Sequence, residues 1–171
     1  MLFERIANRS WSKQTIPELF HETCQLRKNK VALVFQGQKI TFNELNVNVQ
    51  KAASMLIGMG IKPGDRVTLL PTTRPEFIYL YLGIIHVGAV YNVLNLLWGE
   101  NEIRAILERN DPKVIVTIDE HKGKNFIELI KNSIPELSIH ENEVSSKNIP
   151  SLTHMIQVSE QGENYIGFHA Y

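Results

Sequence analysis

Apolar positions along this chain recur at two different periods, and the switches between them outline the fold. Ile16, Leu19, Phe20, Thr23 and Cys24 share one face at helical spacing, which predicts a helix over residues 16–27 with Pro17 in its first turn. Val31 to Phe35 is a compact β signal. Gln36-Gly37 then turns the chain into Gln38 to Thr41, so the pair reads as a β-hairpin. From Thr41 to Met59 the pattern is helical again: Leu45, Val49, Ala52, Ala53, Leu56 and Met59 form one apolar stripe. Thr41 and Glu44 have the spacing of a capping box, and Gly60 supplies the left-handed residue that ends the helix. Lys62-Pro63-Gly64-Asp65 makes the next turn.

After that turn, strands and helices alternate. Val67 to Leu70 predicts a short buried strand, residues 75 to about 86 a helix, and Ala89 to Leu94 a second strand. A helix from about Gly99 to Arg109 stops near Asn110. Val114 to Thr117 follows as a β-branched strand suited to burial on both faces. Gly123 to Asn132 reads as helix, Glu141 to Asn148 as a polar loop, and Leu152 to Val158 as a returning strand. The order predicts an α/β fold: a mostly parallel sheet with helices on both faces, preceded by a small β-hairpin. A chain of 171 residues suits a single domain over 1–171.

Composition narrows the function classes. Lys plus Arg equals Asp plus Glu, 18 against 18, so no overall field attracts nucleic acid or an anionic membrane. The one basic cluster, Arg27-Lys28-Asn29-Lys30, reads as a solvated helix end. Cys24 is the only cysteine, which excludes an internal disulfide and suits a reducing, cytoplasmic setting. The start, Met1-Leu2-Phe3-Glu4-Arg5, has no basic-then-apolar signal pattern. Phe77 to Gly99 carries no Asp, Glu, Lys or Arg. Even so, Gly83, His86, Gly88, Asn92 and Asn95 interrupt it, so a buried helix followed by a buried strand is expected, not a transmembrane segment.

Candidate chemistry is sparse. His21 and Cys24 stand three apart on a helix, but His86, His121, His140, His154 and His169 do not complete a ligand set, so no metal site is assigned. Gly58-Met59-Gly60 ends a helix where a dinucleotide loop would open one, and a Walker-type loop is absent. Asp65 and Glu76 fall at element ends, as turn and cap. Asp119-Glu120-His121 lies just past a strand's carboxyl end, where parallel-sheet sites form, but an exposed polar loop is the favoured reading of the pattern. The aromatic residues are too dispersed for a base-stacking surface.

The order of these pieces resembles one superfamily. Ile40-Thr41-Phe42-Asn43-Glu44-Leu45 is similar to the Leu-Thr-Tyr-x-Glu-Leu signature of the AMP-forming, adenylate-forming enzymes, which include acyl-CoA synthetases and aryl-CoA ligases. Gly60-Ile61-Lys62-Pro63-Gly64-Asp65-Arg66-Val67 is similar to their Gly-(Val/Ile)-x-x-Gly-Asp-x-Val turn and strand. Pro75-Glu76-Phe77, Gly88-Ala89-Val90, Leu94-Asn95, Glu102-Ile103 and Lys113-Val114-Ile115-Val116-Thr117 follow in the family's order. The likeness covers roughly residues 15 to 118 and departs at Leu96, where Pro is usual, and in the longer loop at Thr72-Thr73-Arg74. Asn95-Leu96-Leu97-Trp98-Gly99 lacks the Gly-rich character by which acetyl-CoA synthetases approach the CoA nucleotide, so no CoA role is carried over.

The resemblance implies an N-terminal fragment of the large AMP-binding domain, with the C-terminal domain absent. It implies a parent enzyme that uses ATP, Mg and CoA to turn a carboxylic acid substrate into an acyl-adenylate and then a thioester. The family's phosphate loop, its aromatic-Gly-x-Thr-Glu motif, its ribose-binding Asp and its catalytic Lys have no counterpart up to Tyr171. No catalytic residue is therefore assigned, cofactor-binding residues stay unassigned, and the fragment alone is expected to be inert. The expected partners are the remainder of the large domain and the C-terminal domain, with self-association of the fragment through apolar surface left uncovered. A stand-alone binding or interaction module that kept the fold is the competing expectation.

Overall fold

Residues 14–140, 143–158 and 168–170 are described by the computed structural model. The chain packs as two compact units, Met1–Asn48 and Val49–Tyr171. In the first, helix α1 (Ile16–Leu26) opens on a reciprocal cap that the apolar pattern does not signal. Thr15 Oγ1 accepts from Glu18 N at 3.4 Å, and Glu18 Oε2 accepts from Thr15 N at 2.7 Å. Cys24 is the buried residue of α1, while Arg27 to Lys30 are exposed beyond its end. Strands β1 (Val31–Phe35) and β2 (Gln38–Thr41) form the antiparallel hairpin, with Gln36 and Gly37 both at positive φ in the turn. Thr41 then caps helix α2 (Phe42–Gly58) by the same box: Glu44 Oε2 accepts from Thr41 N at 2.7 Å, and Glu44 N donates to Thr41 Oγ1 at 3.2 Å.

The second unit begins within α2 and is organised by one parallel sheet. Helix α2 stops where Gly60 takes φ 74°: Ile61 N donates to Leu56 O, and Gly60 N to Ile57 O, the pattern of a glycine-terminated helix. In sequence order the remaining elements are β3 (Arg66–Leu69), α3 (Pro75–His86), β4 (Val90–Val93), α4 (Glu100–Asn110) and β5 (Val114–Ile118). A short hairpin follows, β6 (Glu120–His121) and β7 (Lys124–Asn125), and then α5 (Phe126–Ser133). Another hairpin, β8 (Ser138–His140) and β9 (Glu143–Ser145), precedes β10 (His154–Val158) and β11 (Phe168–Ala170). The sheet order is β11-β10-β5-β3-β4, every neighbour parallel.

Two expectations change here. The helix expected from Gly123 starts at Phe126, because Lys122 and Gly123, at φ 53° and 76°, close a hairpin first, and Asn125 caps the helix with its side chain. The expected polar loop contains β9, paired to β8 through Ile139 and Val144; residues 141 and 142 lie outside the described set. The uncharged run resolves into helix α3 and strand β4, but the strand is not buried as expected: Val90 and Val93 are exposed and Tyr91 and Asn92 half-buried, because β4 is the last strand of the described sheet. Among the described residues no helix is long and apolar enough to cross a membrane.

Side chains alternate across a strand, so the two sheet faces can be read from the register. Arg66, Thr68 and Leu70 share one face with Asn92, Ile115, Thr117 and Gln157. On that face Arg66 reaches the C-terminus of α4, donating to Asp111 O at 2.9 Å. The opposite face carries Tyr91, whose ring meets Tyr81 of α3 edge-on at 4.8 Å. α3 therefore covers one face and α4 the other. α5 joins α4, with Arg104 Nε donating to Ser133 O at 3.0 Å and Asn132 Nδ2 to Glu100 Oε1 at 3.0 Å. Val67, Leu69, Val114, Val116, Ile118 and Ile156 are buried in the centre.

Candidate functional site at the carboxyl edge of the sheet

From β3 the chain steps outward to β4, then returns across β3 to β5 and continues to β10. The connections leaving β3 and β5 therefore diverge, and the crevice outside their carboxyl ends is where ligands bind open α/β sheets. Four segments meet this edge. After β3 runs Leu70-Pro71-Thr72-Thr73-Arg74, after β4 Leu94 to Gly99, after β5 Asp119 and the β6–β7 hairpin, and Val158 closes β10.

Arg74 is the residue that spans the edge. Its Nη1 donates to Val158 O at 3.4 Å, linking the β3 loop to β10, with β5 lying between those strands. Thr72 leaves its hydroxyl buried without a hydrogen-bond partner. Asp119 Oδ1 accepts from Glu120 N at 2.8 Å, and Asp119 O accepts from Phe126 N, so this aspartate shapes the turn into the hairpin. Lys124 donates to Trp98 O at 3.1 Å and stands 5.3 Å from the centre of the Phe126 ring, tying the β4 loop to the hairpin. Asn95 Oδ1 accepts from Leu97 N at 2.9 Å and folds its own loop. The edge thus presents cations, Arg74, Lys122 and Lys124, and backbone turns. It brings together Asp119, Glu120 and His121 only as a two-strand turn.

The carboxylates whose protonation is perturbed lie elsewhere. Asp65 precedes β3 and Asp111 precedes β5, both at the amino edge. Burial would raise the Asp65 carboxyl, but hydrogen bonds from Lys113 and from Lys62 N, with the lysine charges, outweigh it and hold it below the usual range. Lys113 Nζ donates to Asp65 Oδ2 at 2.9 Å and to Gly60 O at 2.7 Å, so one lysine fastens the Pro-Gly turn to β5. At Asp111 burial again acts upward and is overcome by Ser151 and Arg66, which lower it. Ser151 N and Oγ donate to its carboxylate at 2.9 and 2.6 Å, and Arg66 pairs with it at 3.3 Å. Asp111 also stops α4 at φ 42°, one residue after the expected Asn110. The Arg66 Nε–Asn110 O bond completes the knot. These groups are saturated cross-links, not acids or bases poised toward a ligand.

The other candidate residues resolve into structure. His21 is exposed, and Cys24 is buried with its thiol pushed up by that burial. Glu76 stands in the first turn of α3, whose N-cap Arg74 makes no side-chain cap. Among the described residues no group of three or more His, Cys, Asp or Glu could hold a metal ion. The β3–α3 loop has no glycine to bring backbone against a phosphate.

Two features are not readable from the sequence pattern. Arg74 has the character of loop filler, and its only signal is its place after a strand and before Pro75. A polar stripe inside the sheet is the other. Thr68 Oγ1, Asn92 Nδ2 and both amide atoms of Gln157 are buried without partners on the face that meets α4, although each lies within a strand of apolar pattern.

The model of a family described as AMP-binding enzyme matches residues 20–165. The acetyl-coenzyme A synthetase of Chlorobaculum tepidum is 30% identical over 142 residues, which are 80% of this chain and 20% of that protein. Triostin synthetase I of Streptomyces triostinicus is 28% identical over 125 residues, 73% of this chain and 24% of that protein. Among solved structures, the anthranilate CoA ligase AuaEII in complex with anthranoyl-AMP superposes with a TM-score of 0.68 at 25% identity, covering 83% of this chain and 24% of that one. The chain thus spans about a fifth to a quarter of the length of these relatives.

Proposed function

We propose, from the premise that this chain belongs to the AMP-binding enzyme family, that it is the N-terminal scaffold part of an AMP-forming acyl- or aryl-CoA synthetase. The parent enzyme would use ATP, magnesium and CoA to convert a carboxylic acid into an acyl-adenylate and then a thioester. The observation that carries this reading is the match over residues 20–165 to a family of whose compared members the chain covers only 20% and 24%. The motifs that identify the family here do architectural work. Thr41 and Glu44 cap α2, Gly60 ends it, Asp65 locks the turn before β3, and Pro75 opens α3.

The role of this part is to fix the sheet and present its carboxyl edge, with Arg74 and Lys124 holding that edge in shape. Phosphate binding and both chemical steps belong to the remainder of the large domain and to the C-terminal domain. Carboxylate-dependent ATP–pyrophosphate exchange by the isolated chain is expected to equal a protein-free blank, and exchange above the blank refutes the scaffold reading. The reading frame beyond Tyr171 supplies an independent check. A Ser/Thr-Gly-rich loop with Lys soon after Tyr171 supports a ligase, and a native stop codon supports a stand-alone module.

A further inference from the structure

Four polar side chains cross the interior of the sheet on a diagonal. Asn92 of β4 and Thr68 of β3 are partners in the parallel register, and so are Thr117 of β5 and Gln157 of β10. Thr68 is also the partner of Ile115, two residues before Thr117, so the two pairs lie one step apart on the face that meets α4. Thr68 and Thr117 are 0% exposed and Gln157 1%. Thr68 Oγ1, Asn92 Nδ2 and both amide atoms of Gln157 are sealed from the surface without a hydrogen-bond partner. Thr117 Oγ1 donates to Ile118 O at 3.3 Å, which spends its one proton and leaves it an acceptor. The chain's own packing closes these atoms off, so no group outside the chain reaches them.

We propose that this diagonal is a binding site for internal water, with at least one molecule at each pair. Paired positions on adjacent strands stand about 4.8 Å apart. A hydroxyl and an amide placed so would bond directly if they could reach. Thr68 Oγ1 and Asn92 Nδ2 make no such bond, and a gap of that kind between polar groups is where a bridging water sits. There the water accepts from Asn92 Nδ2 and meets the Thr68 hydroxyl, which can donate or accept. At the second pair, water accepts from Gln157 Nε2 and donates to Gln157 Oε1 and Thr117 Oγ1. The chemistry selects water over other ligands. None of the four side chains carries a charge to hold an ion, and each offers only neutral donors and acceptors. Buried polar groups that find no protein partner are satisfied in native proteins by ordered water. A dry seam would instead leave four orphaned atoms on one sheet face. This inference does not depend on the ligase reading, since a scaffold and a stand-alone module contain the same interior.

Oxygen-17 relaxation dispersion on the whole chain detects waters that stay bound while the molecule tumbles, and protein hydroxyls do not contribute to it. The expected result is a dispersion in the wild-type chain whose amplitude falls by about one water in Thr68→Val and by at least about one in Gln157→Met, with circular dichroism unchanged. Urea unfolding of the same samples supplies a second readout with opposite signs for the two states of the seam. If the seam is hydrated, each apolar near-isostere strips a partner from the water and leaves Asn92 or Thr117 unsatisfied, so the midpoint falls. If the seam is dry, the same substitution removes an orphaned polar group and the midpoint rises. A wild-type chain without dispersion, an amplitude that neither variant lowers, or midpoints raised by both variants each overturns the proposal.

Discussion

Gly83 offers the sharpest test of how the second unit is packed. It lies inside α3, where glycine costs a helix about 1 kcal/mol relative to alanine. Propensity alone therefore predicts that Gly83→Ala stabilises the chain. Packing predicts the opposite. A Cβ built on Gly83 would stand 3.0 Å from Ala52 Cβ, 3.1 Å from Ala53 N and 3.3 Å from Ala52 C. Two of those three neighbours are backbone atoms of α2, so no side-chain rotation relieves the crowding and the helices must part. Overpacking of this kind costs about 1–3 kcal/mol, which exceeds the propensity gain over most of its range. Gly58 is the internal reference: it ends α2, and a Cβ there meets nothing within 4 Å. Gly58→Ala should gain about 0.5 kcal/mol, while Gly83→Ala should lose about 1 kcal/mol. Urea unfolding followed by circular dichroism reads both from the midpoint at constant slope. Ala52→Gly placed in the Gly83→Ala background should recover part of the loss, since it removes the nearest atom but leaves Ala53 N. If Gly83→Ala and Gly58→Ala stabilise alike, close contact between α2 and α3 is not what holds Gly83 in place.

Other expectations concern the amino edge. Asp111→Ala removes the acceptor of three hydrogen bonds and leaves a left-handed backbone that alanine resists; a loss of about 2–3 kcal/mol is expected in the same unfolding assay. Asp111→Asn keeps a side chain suited to that conformation and should lose less than the alanine variant. The carboxyls of Asp65 and Asp111 are both lowered in the folded chain, so their contribution is fully present above the unfolded value of about 3.9 and fades as pH falls through the folded values. The unfolding midpoint should therefore fall below about pH 4, and Asp111→Asn should make that fall shallower; an unchanged slope counts against the linkage. Lys113→Met, which removes the bonds to Gly60 O and Asp65, should bring the Asp65 carboxyl back upward, observable by side-chain carboxyl NMR titration.

Much of the fold is legible in the sequence because burial and period agree. The β-branched run at Val114 to Ile118 can be satisfied only by a strand covered on both faces, and α2 carries its cap, stripe and stop in one continuous pattern. Boundaries slip where a local hairpin competes with helix, as at Lys122-Gly123, whose positive φ angles a helical window does not register. β9 is hidden because a three-residue strand pairs through backbone and needs few apolar residues. The carboxyl-edge crevice is only half legible. Asp119 does fall beyond a strand end, but its role as a turn former depends on bonds to Glu120 N and Phe126 N. Arg74 could not be found from spacing, because its partner carbonyl lies 84 residues away.

The Asp111 knot also fixes an order of events. Its carboxylate binds Ser151, 40 residues later, and Arg66, 45 residues earlier. A chain emerging from the ribosome can form α4 and pair β3 with β4 long before Ser151 exists. Until then Asp111 has only Arg66, and the strand that Ser151 delivers, β10, is missing from the sheet. During synthesis the amino edge therefore closes last, and the ladder between β5 and β10 is sealed only once residues 151–158 have emerged. Substitutions at Ser151 should consequently leave the assembly of β3, α3 and β4 unchanged during synthesis and act only once β10 joins β5.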